Sequence, residues 1–242
     1  MSMSSIADAP PGSRRPGVAV ALLGAAAILG AVLAGPVPAD GWQWLHWISK
    51  PLATMLILWT AWRIAPPLTA RYRRWIAIGM LFSLAGDIFL MLPQDAFVPG
   101  LVAFLIAHVC FIRAMLDDAR FAARPWALLA CLGYGALNLW LLWPSLPTAL
   151  YVPVVVYVAV LASMAGQAVS RAWWHAGDAL AGPARWAAVG ALLFMLSDTL
   201  IAWNRFRAAI PWAALWILAT YYAALWCLAR SIQRVSGTGK HA

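Results

Sequence analysis

Glutamate is absent from this chain of 242 residues, whose eight acidic side chains are all aspartates. Charged residues reach only 10% of the composition against 64% apolar, which excludes a water-soluble globule, since that needs far more polar surface. Cysteine is scarce as well. Cys110, Cys131 and Cys227 are odd in number, fall inside apolar runs and lack metal-type spacing, so they read as small buried residues. The chain has no Walker loop, no GxSxG elbow and no HExxH or three-His set, which removes phosphate-loop, nucleophile-elbow and zincin chemistry. An Asp, His, Asp set is the one metal arrangement these residue types leave open; neither a metal nor a cofactor is expected.

What the chain does have is long apolar runs. A hydrocarbon core about 30 Å thick needs about twenty residues of helix. Eight runs meet that length: roughly 18–35, 46–63, 75–92, 99–116, 126–143, 150–170, 186–203 and 212–230. The expected fold is therefore all-α, a polytopic membrane bundle of eight transmembrane helices occupying 18–230 as a single domain. Residues 1–17 and the tail 231–242 are expected to lie outside it, with the N-terminal Ser/Pro/Gly segment and the residues after Ser236 disordered. Arg14, Arg15 and the run from Val18 to Ala39 also fit a cleaved signal peptide, but an uncleaved first span completes an even set.

The charges orient this bundle. Arg14 and Arg15, then Arg63 to Arg74, Arg113 to Arg124, Arg171 with Arg185, and Arg230, Arg234 and Lys240 all fall on one face, whereas Arg205 and Arg207 are alone on the other. The positive-inside rule then puts both termini in the cytoplasm of a bacterial inner membrane. The net charge of +9 is dispersed over several segments, so it is a topology signal and no nucleic-acid partner is expected. Many of the sixteen tryptophans cluster near the span ends as an aromatic belt.

An internal repeat singles out two carboxylates. Residues 75–92 read WIAIGMLFSLAGDIFLML and residues 186–203 read WAAVGALLFMLSDTLIAW, so Trp75, Gly79 and Asp87 match Trp186, Gly190 and Asp198 at a constant offset of 111 (198−87). An offset of four spans preserves direction, which predicts two parallel four-helix halves, about 18–116 and 126–230. A carboxylate in a span costs roughly 2.5–3.5 kcal/mol on insertion scales, so a repeated one reads as function before it reads as helix glue. Both aspartates fall about 7–8 Å below the outer interface, counting 1.5 Å per residue. Lys50 enters from the same side, His108 falls nearer the midplane, and Asn204 and Arg205 stand at the outer mouth. Two carboxylates with a basic neighbour fit a general acid and base pair, one held neutral and the other ionised.

These residues carry a resemblance. Lys50-Pro51-Leu52, FSLAGDIFLML around Asp87, FVPGLVAFLIAHVCFI leading to His108, and GALLFMLSDTLIAWNRF around Asp198 resemble the YhhN family of membrane proteins, the lysoplasmalogenase family. The resemblance covers spans two to four and seven to eight in order. It implies an eight-span hydrolase that cleaves the vinyl ether bond of lysoplasmalogens, giving a fatty aldehyde and a glycerophospho-base. Its polar motif positions fall here on Lys50, Asp87, His108, Ser197 and Asp198. Two departures occur: Phe111 replaces an aromatic hydroxyl, and Leu225 replaces a polar residue after Tyr221-Tyr222.

Vinyl ether cleavage suits what the residues offer. Protonation of the outer alkene carbon yields an oxocarbenium ion that water captures, which calls for an acid and an anion, much as in glycoside hydrolysis. Asp87, Asp198 and His108 are the expected catalytic groups, with Asp198 as acid and Asp87 as anion. Lys50, Ser197, Asn204, Arg205 and Tyr221 are the expected contacts to a lysophospholipid drawn from the surrounding lipid. A proton-coupled transporter using the same intramembrane Asp and His groups is the alternative, although no matched mid-span Pro or Gly breaks favour it.

Overall fold

The computed structural model describes residues 14–35, 40–92 and 94–234. Among them are eight α-helices: α1 (Arg14–Leu33), α2 (Gly41–Arg63), α3 (Ala70–Met91), α4 (Phe97–Met115), α5 (Pro125–Leu142), α6 (Tyr151–Trp174), α7 (Ala181–Phe206) and α8 (Ala213–Arg230). Two single 3-10 turns join α5 to α6. All eight expected runs are helical. Seven are long and apolar enough to cross a membrane; α2 is not, because Gln43, His46 and Lys50 interrupt its apolar face.

Helix ends extend beyond the apolar runs, mostly by local capping. α3 begins five residues before Trp75, where the Thr69 hydroxyl accepts from the Tyr72 amide, and Asp40 caps α2 through the Gln43 amide. α1 starts at Arg14, inside the segment expected to be disordered; residues 1–13 and the tail after 234 lie outside the described residues. Residues 231–234, the start of the expected tail, dock on the α2–α3 loop, with Leu68 N–H donating to the Ile232 carbonyl and Arg234 N–H to the Pro66 carbonyl. Ile232 is fully buried, which explains why the chain stays there.

Neighbouring helices pack as α1–α2–α3–α4 and α5–α6–α7–α8, and the two sets join where α4 meets α6 and where α8 meets α1 and α2. Small residues set the closest approaches, as they must where lipid tails compete with side chains for the same surface. A Cβ on Gly79 would stand 2.4 Å from the Phe111 ring of α4, and one on Gly190 would stand 2.9 Å from the Ala224 carbonyl of α8. The matched glycines of the repeat thus seat α3 on α4 and α7 on α8.

The two ends of the bundle are tied differently. At the Arg-rich end the fully buried Arg171 of α6 grips Asp118 with two 2.6 Å hydrogen bonds and lies 5.0 Å over the Tyr72 ring. Gln167 and Ser170 hold the Ala122 and Arg124 amides of the same α4–α5 loop at 2.8 and 2.7 Å. At the other end the ties are exposed: Arg205 to Asp95 at 2.8 Å, and Arg207 to Ser145 at 3.3 Å.

Candidate functional site: two buried carboxylates and one cleft

Asp87 sits one turn before the end of α3, 2% exposed, among donors from two other helices. From α2, Lys50 Nζ approaches Oδ1 at 3.3 Å and the Thr54 hydroxyl donates to Oδ2 at 2.8 Å. From α8, the Tyr221 hydroxyl donates to the same Oδ2 at 2.7 Å. Lys50 and Thr54 are four residues apart, one turn of helix, so both reach the same carboxylate. The charge is paired and its oxygens are occupied, which a low-dielectric interior requires of a buried ion.

Asp198 has a smaller escort. The Tyr157 hydroxyl of α6 donates a short hydrogen bond to Asp198 Oδ2, and His108 Nε2 of α4 lies 3.0 Å from the Tyr157 oxygen and 3.4 Å from Asp198 Oδ2. Tyr157 has a single hydroxyl proton and gives it to the carboxylate, so His108 Nε2 carries the proton that points at Tyr157. His108 is fully buried, and its Nδ1 has no hydrogen-bond partner among the described residues. No described side chain donates to Asp198 Oδ1.

An aromatic wall separates the two clusters. The Phe194 ring lies 4.8 Å from the His108 ring on one side and 5.5 Å from the Tyr221 ring on the other, with Phe104 6.0 Å from Phe194 and 6.1 Å from Tyr221. Among the described residues no hydrogen bond crosses it. The sequence places both carboxylates in one repeated frame, but the fold gives each its own set of partners.

Only one of them reaches open space. An open cleft bounded by α4, α5, α6 and α7 is lined by Asp198 and Tyr157, with Asn138, Tyr134 and Thr199 as further polar groups in an otherwise apolar wall. Asp87, Lys50, Thr54 and Tyr221 do not line it. An apolar wall with a few convergent polar groups is the character of a site for a hydrocarbon-bearing ligand.

The remaining expected residues divide by position. Ser197 is buried and donates to the Ile217 carbonyl at 3.1 Å, so it joins α7 to α8. Asn204 accepts from the Ile210 amide at 2.9 Å and shapes the turn after α7. Lys50 and Tyr221 are engaged by Asp87. Arg205 alone of the expected ligand contacts stays at the mouth, paired with Asp95 and 4.2 Å over the Phe97 ring, itself part of the cleft lining.

The arrangement can now be set beside known proteins. The model of the YhhN family matches residues 45–232, which takes in α3 to α8 and nearly all of α2. The chain belongs to the YhhN family. Among its curated relatives, lysoplasmalogenase of Mycobacterium tuberculosis is 40% identical over 162 residues, covering 64% of this chain and 58% of that one. Human lysoplasmalogenase TMEM86B is 32% identical over 188 residues, covering 78% of this chain and 75% of that one, and human lysoplasmalogenase TMEM86A is 35% identical over 165 residues, covering 64% of each. The chain thus spans less than two thirds of the mycobacterial relatives' length. No solved structure matches it.

Both carboxylate clusters fall wholly within the YhhN match, and α1 falls outside it. Sequence reasoning missed two of the cluster members, Thr54 and Tyr157. Tyr157 sits in the run YVPVVVYVAV, where one hydroxyl barely lowers the hydropathy and marks no helix as special. A signal was available for the cleft wall: Tyr134 and Asn138 are four apart on α5, a polar pair on one face of an otherwise apolar YhhN helix.

Proposed function

We propose that this chain is a membrane-embedded hydrolase that cleaves the vinyl ether bond of a lysoplasmalogen-type lysophospholipid, releasing a fatty aldehyde and a glycerophospho-base. The observation that carries the reading is the position of Asp198: a carboxylate tied to His108 and Tyr157 on one oxygen, with the side chain lining an apolar cleft. The names of the relatives support the substrate class, and family membership supports the membrane setting.

Asp198, protonated, gives its proton to the outer alkene carbon, and the ether oxygen's lone pair stabilises the resulting cation as an oxocarbenium ion. The Asp198 carboxylate left behind is stabilised by the Tyr157 hydroxyl and by His108. It then takes a proton from the water that attacks the alkenyl carbon. The hemiacetal collapses, the C–O bond breaks on the alkenyl side, and the glycerol oxygen leaves with a proton. Atoms balance as one water consumed and one aldehyde and one alcohol formed. Arg205 is the cation nearest the mouth for the lipid phosphate. Asp87 with Lys50 serves this chemistry by fixing α2, α3 and α8, rather than as the anion of a pair.

The same proposal includes the architecture. The two clusters relate as a parallel repeat requires: α3 with α2 and α8 around Asp87, and α7 with α6 and α4 around Asp198. Eight spans then place both termini and the Arg-rich end in the cytoplasm of a bacterial inner membrane, with the cleft mouth outside. A cysteine at Gln94 is expected to react with an impermeant thiol reagent from the outer side, and one at Ala70 is not.

Isotope tracing tests the reaction. In heavy water the aldehyde gains one deuterium on the carbon next to the carbonyl, and oxygen from labelled water appears in the aldehyde and not in the glycerol product. Cleavage of an acyl lysophospholipid with the vinyl ether left intact contradicts the proposal, and uptake into sealed vesicles without product release favours a carrier.

A further inference from the structure

We infer that the seam between α5 and α7 is the lateral doorway of this site and the track for the substrate's hydrocarbon chain, which lies along it on the Arg-rich side of Asp198. The inference rests on the hydrolase reading for the identity of the ligand, a single-chain lipid, and on the packing of α5 for the route.

α5 is anchored on α6. A Cβ on Gly166 of α6 would stand 2.7 Å from the Leu128 backbone, and one on Gly135 of α5 would stand 2.9 Å from Val158 of α6. Against α7, by contrast, α5 makes only a light contact, and two hydrogen bonds cross the seam among the described residues. Tyr134 donates to Thr199 at 3.3 Å and the Trp203 indole to Asn138 at 2.9 Å, both beside Asp198 or nearer the mouth. Beyond Tyr134 no polar tie crosses. There a second, shallow apolar depression begins, lined by Ala130, Cys131, Leu192 and Leu196 and sharing Tyr134 and Met195 with the main cleft.

The direction of the chain follows from the two ends of the cleft. A lipid phosphate at Arg205 and an alkenyl carbon at Asp198 send the hydrocarbon the other way, past Met195 towards Leu192, about 9 Å along α7 at 1.5 Å per residue. Towards the Arg-rich end the main cleft is lined by Tyr134, Gly135, Ala162 and Met195, and there a Cβ on Gly135 would stand 2.9 Å from Val158 and 3.4 Å from Ala162 of α6, so α5 and α6 are closed against each other. A long chain therefore leaves through the seam, where Leu192 and Leu196 are 41% and 42% exposed and Ala130 is exposed as well. The same opening admits the lipid sideways, so no passage through water is needed.

Tail length is the readout. Ala130→Trp and Leu196→Trp each narrow the outer part of the track without touching Asp198, His108 or Tyr157. Purified full-length protein is assayed with lysoplasmalogens bearing 8-carbon and 18-carbon alkenyl chains, with Leu129→Trp, on the exposed face of α5 outside the track, as control. The ratio of kcat/KM for the long over the short chain is expected to fall about tenfold or more in both seam variants and to stay at the wild-type value in the control, a discrimination of about 1.4 kcal/mol. A saturated-ether lysolipid carrying a diazirine at its tail end is then expected to label α5 and α7 near Cys131 and Leu196. An unchanged ratio in both seam variants, or labelling confined to other helices while vinyl ethers are still cleaved, overturns the doorway and leaves the hydrolase standing. Labelling at the seam by a protein that cleaves no vinyl ether keeps the doorway and removes the hydrolase.

Discussion

Asp87 and Asp198 occupy the same place in a repeated sequence frame and differ in what surrounds them. Asp87 meets a cation and two hydroxyl donors, is 2% exposed and does not line the cleft that Asp198 lines. Asp198 meets one hydroxyl and one imidazole through a single oxygen, and its other oxygen takes no hydrogen bond from the described residues. A fully compensated charge holds helices together, whereas an under-compensated one at the edge of a cleft is available for chemistry. Repetition in sequence produced two carboxylate positions; the partners on α2 and α8, against those on α6 and α4, give them different surroundings.

The sharpest way to break this contrast is to neutralise Asp198. Asp198→Asn keeps size and hydrogen bonding but cannot protonate carbon, so turnover is expected to fall about 10³-fold or more, at the upper range of general acid–base contributions, with the detergent melting curve nearly unmoved. Lys50→Met probes the other side. It leaves the Asp87 charge buried without its cation and is expected to destabilise the fold by about 3–5 kcal/mol, visible as a large fall in melting temperature and in the yield of monodisperse protein. Tyr157→Phe removes the one hydroxyl that donates to Asp198 among the described residues. A hydrogen bond to a charged group contributes about 1.5–3 kcal/mol, so kcat is expected to drop roughly 10–100-fold, whereas Thr54→Val beside Asp87 lowers stability and leaves kcat at the wild-type level. Arg205→Gln gives the smallest effect. Its exposed pair with Asp95 contributes about 0.2–1 kcal/mol, so melting is nearly unchanged, and loss of a phosphate contact shows as a several-fold rise in KM with kcat retained.

Much of this contrast was hidden in the sequence for identifiable reasons. The eight apolar runs and the offset joining Asp87 to Asp198 were legible because hydropathy and repetition are local properties, and the helices fall on those runs to within a few residues. His108 was legible as an imidazole deep within an apolar run, well away from its ends. What the chain order concealed was which helix faces which. Lys50 and Arg205 are both basic residues in the half of the bundle away from the Arg-rich end, yet one is sealed by Asp87 and the other stands at the mouth, a difference set by α2–α8 and α3–α4 packing. Tyr157 and Thr54 left no trace, since a hydroxyl in an apolar run changes neither period nor charge. Tyr221 was legible as a polar position, but its partner, 134 residues away, was not.

The division of roles is tested most directly by removing the Asp87 charge pair as a unit. Lys50→Met together with Asp87→Asn deletes both charges, so no uncompensated ion remains to unfold the bundle, and the cleft around Asp198 is untouched. Single-turnover cleavage of a vinyl ether lysolipid by this double variant, side by side with Asp198→Asn at equal folded concentration, compares the two carboxylates without the confusion of stability. The double variant is expected to keep cleavage within a few-fold of the wild-type rate while Asp198→Asn shows almost none. Loss of cleavage in the folded double variant, or near-normal cleavage by Asp198→Asn, contradicts the account.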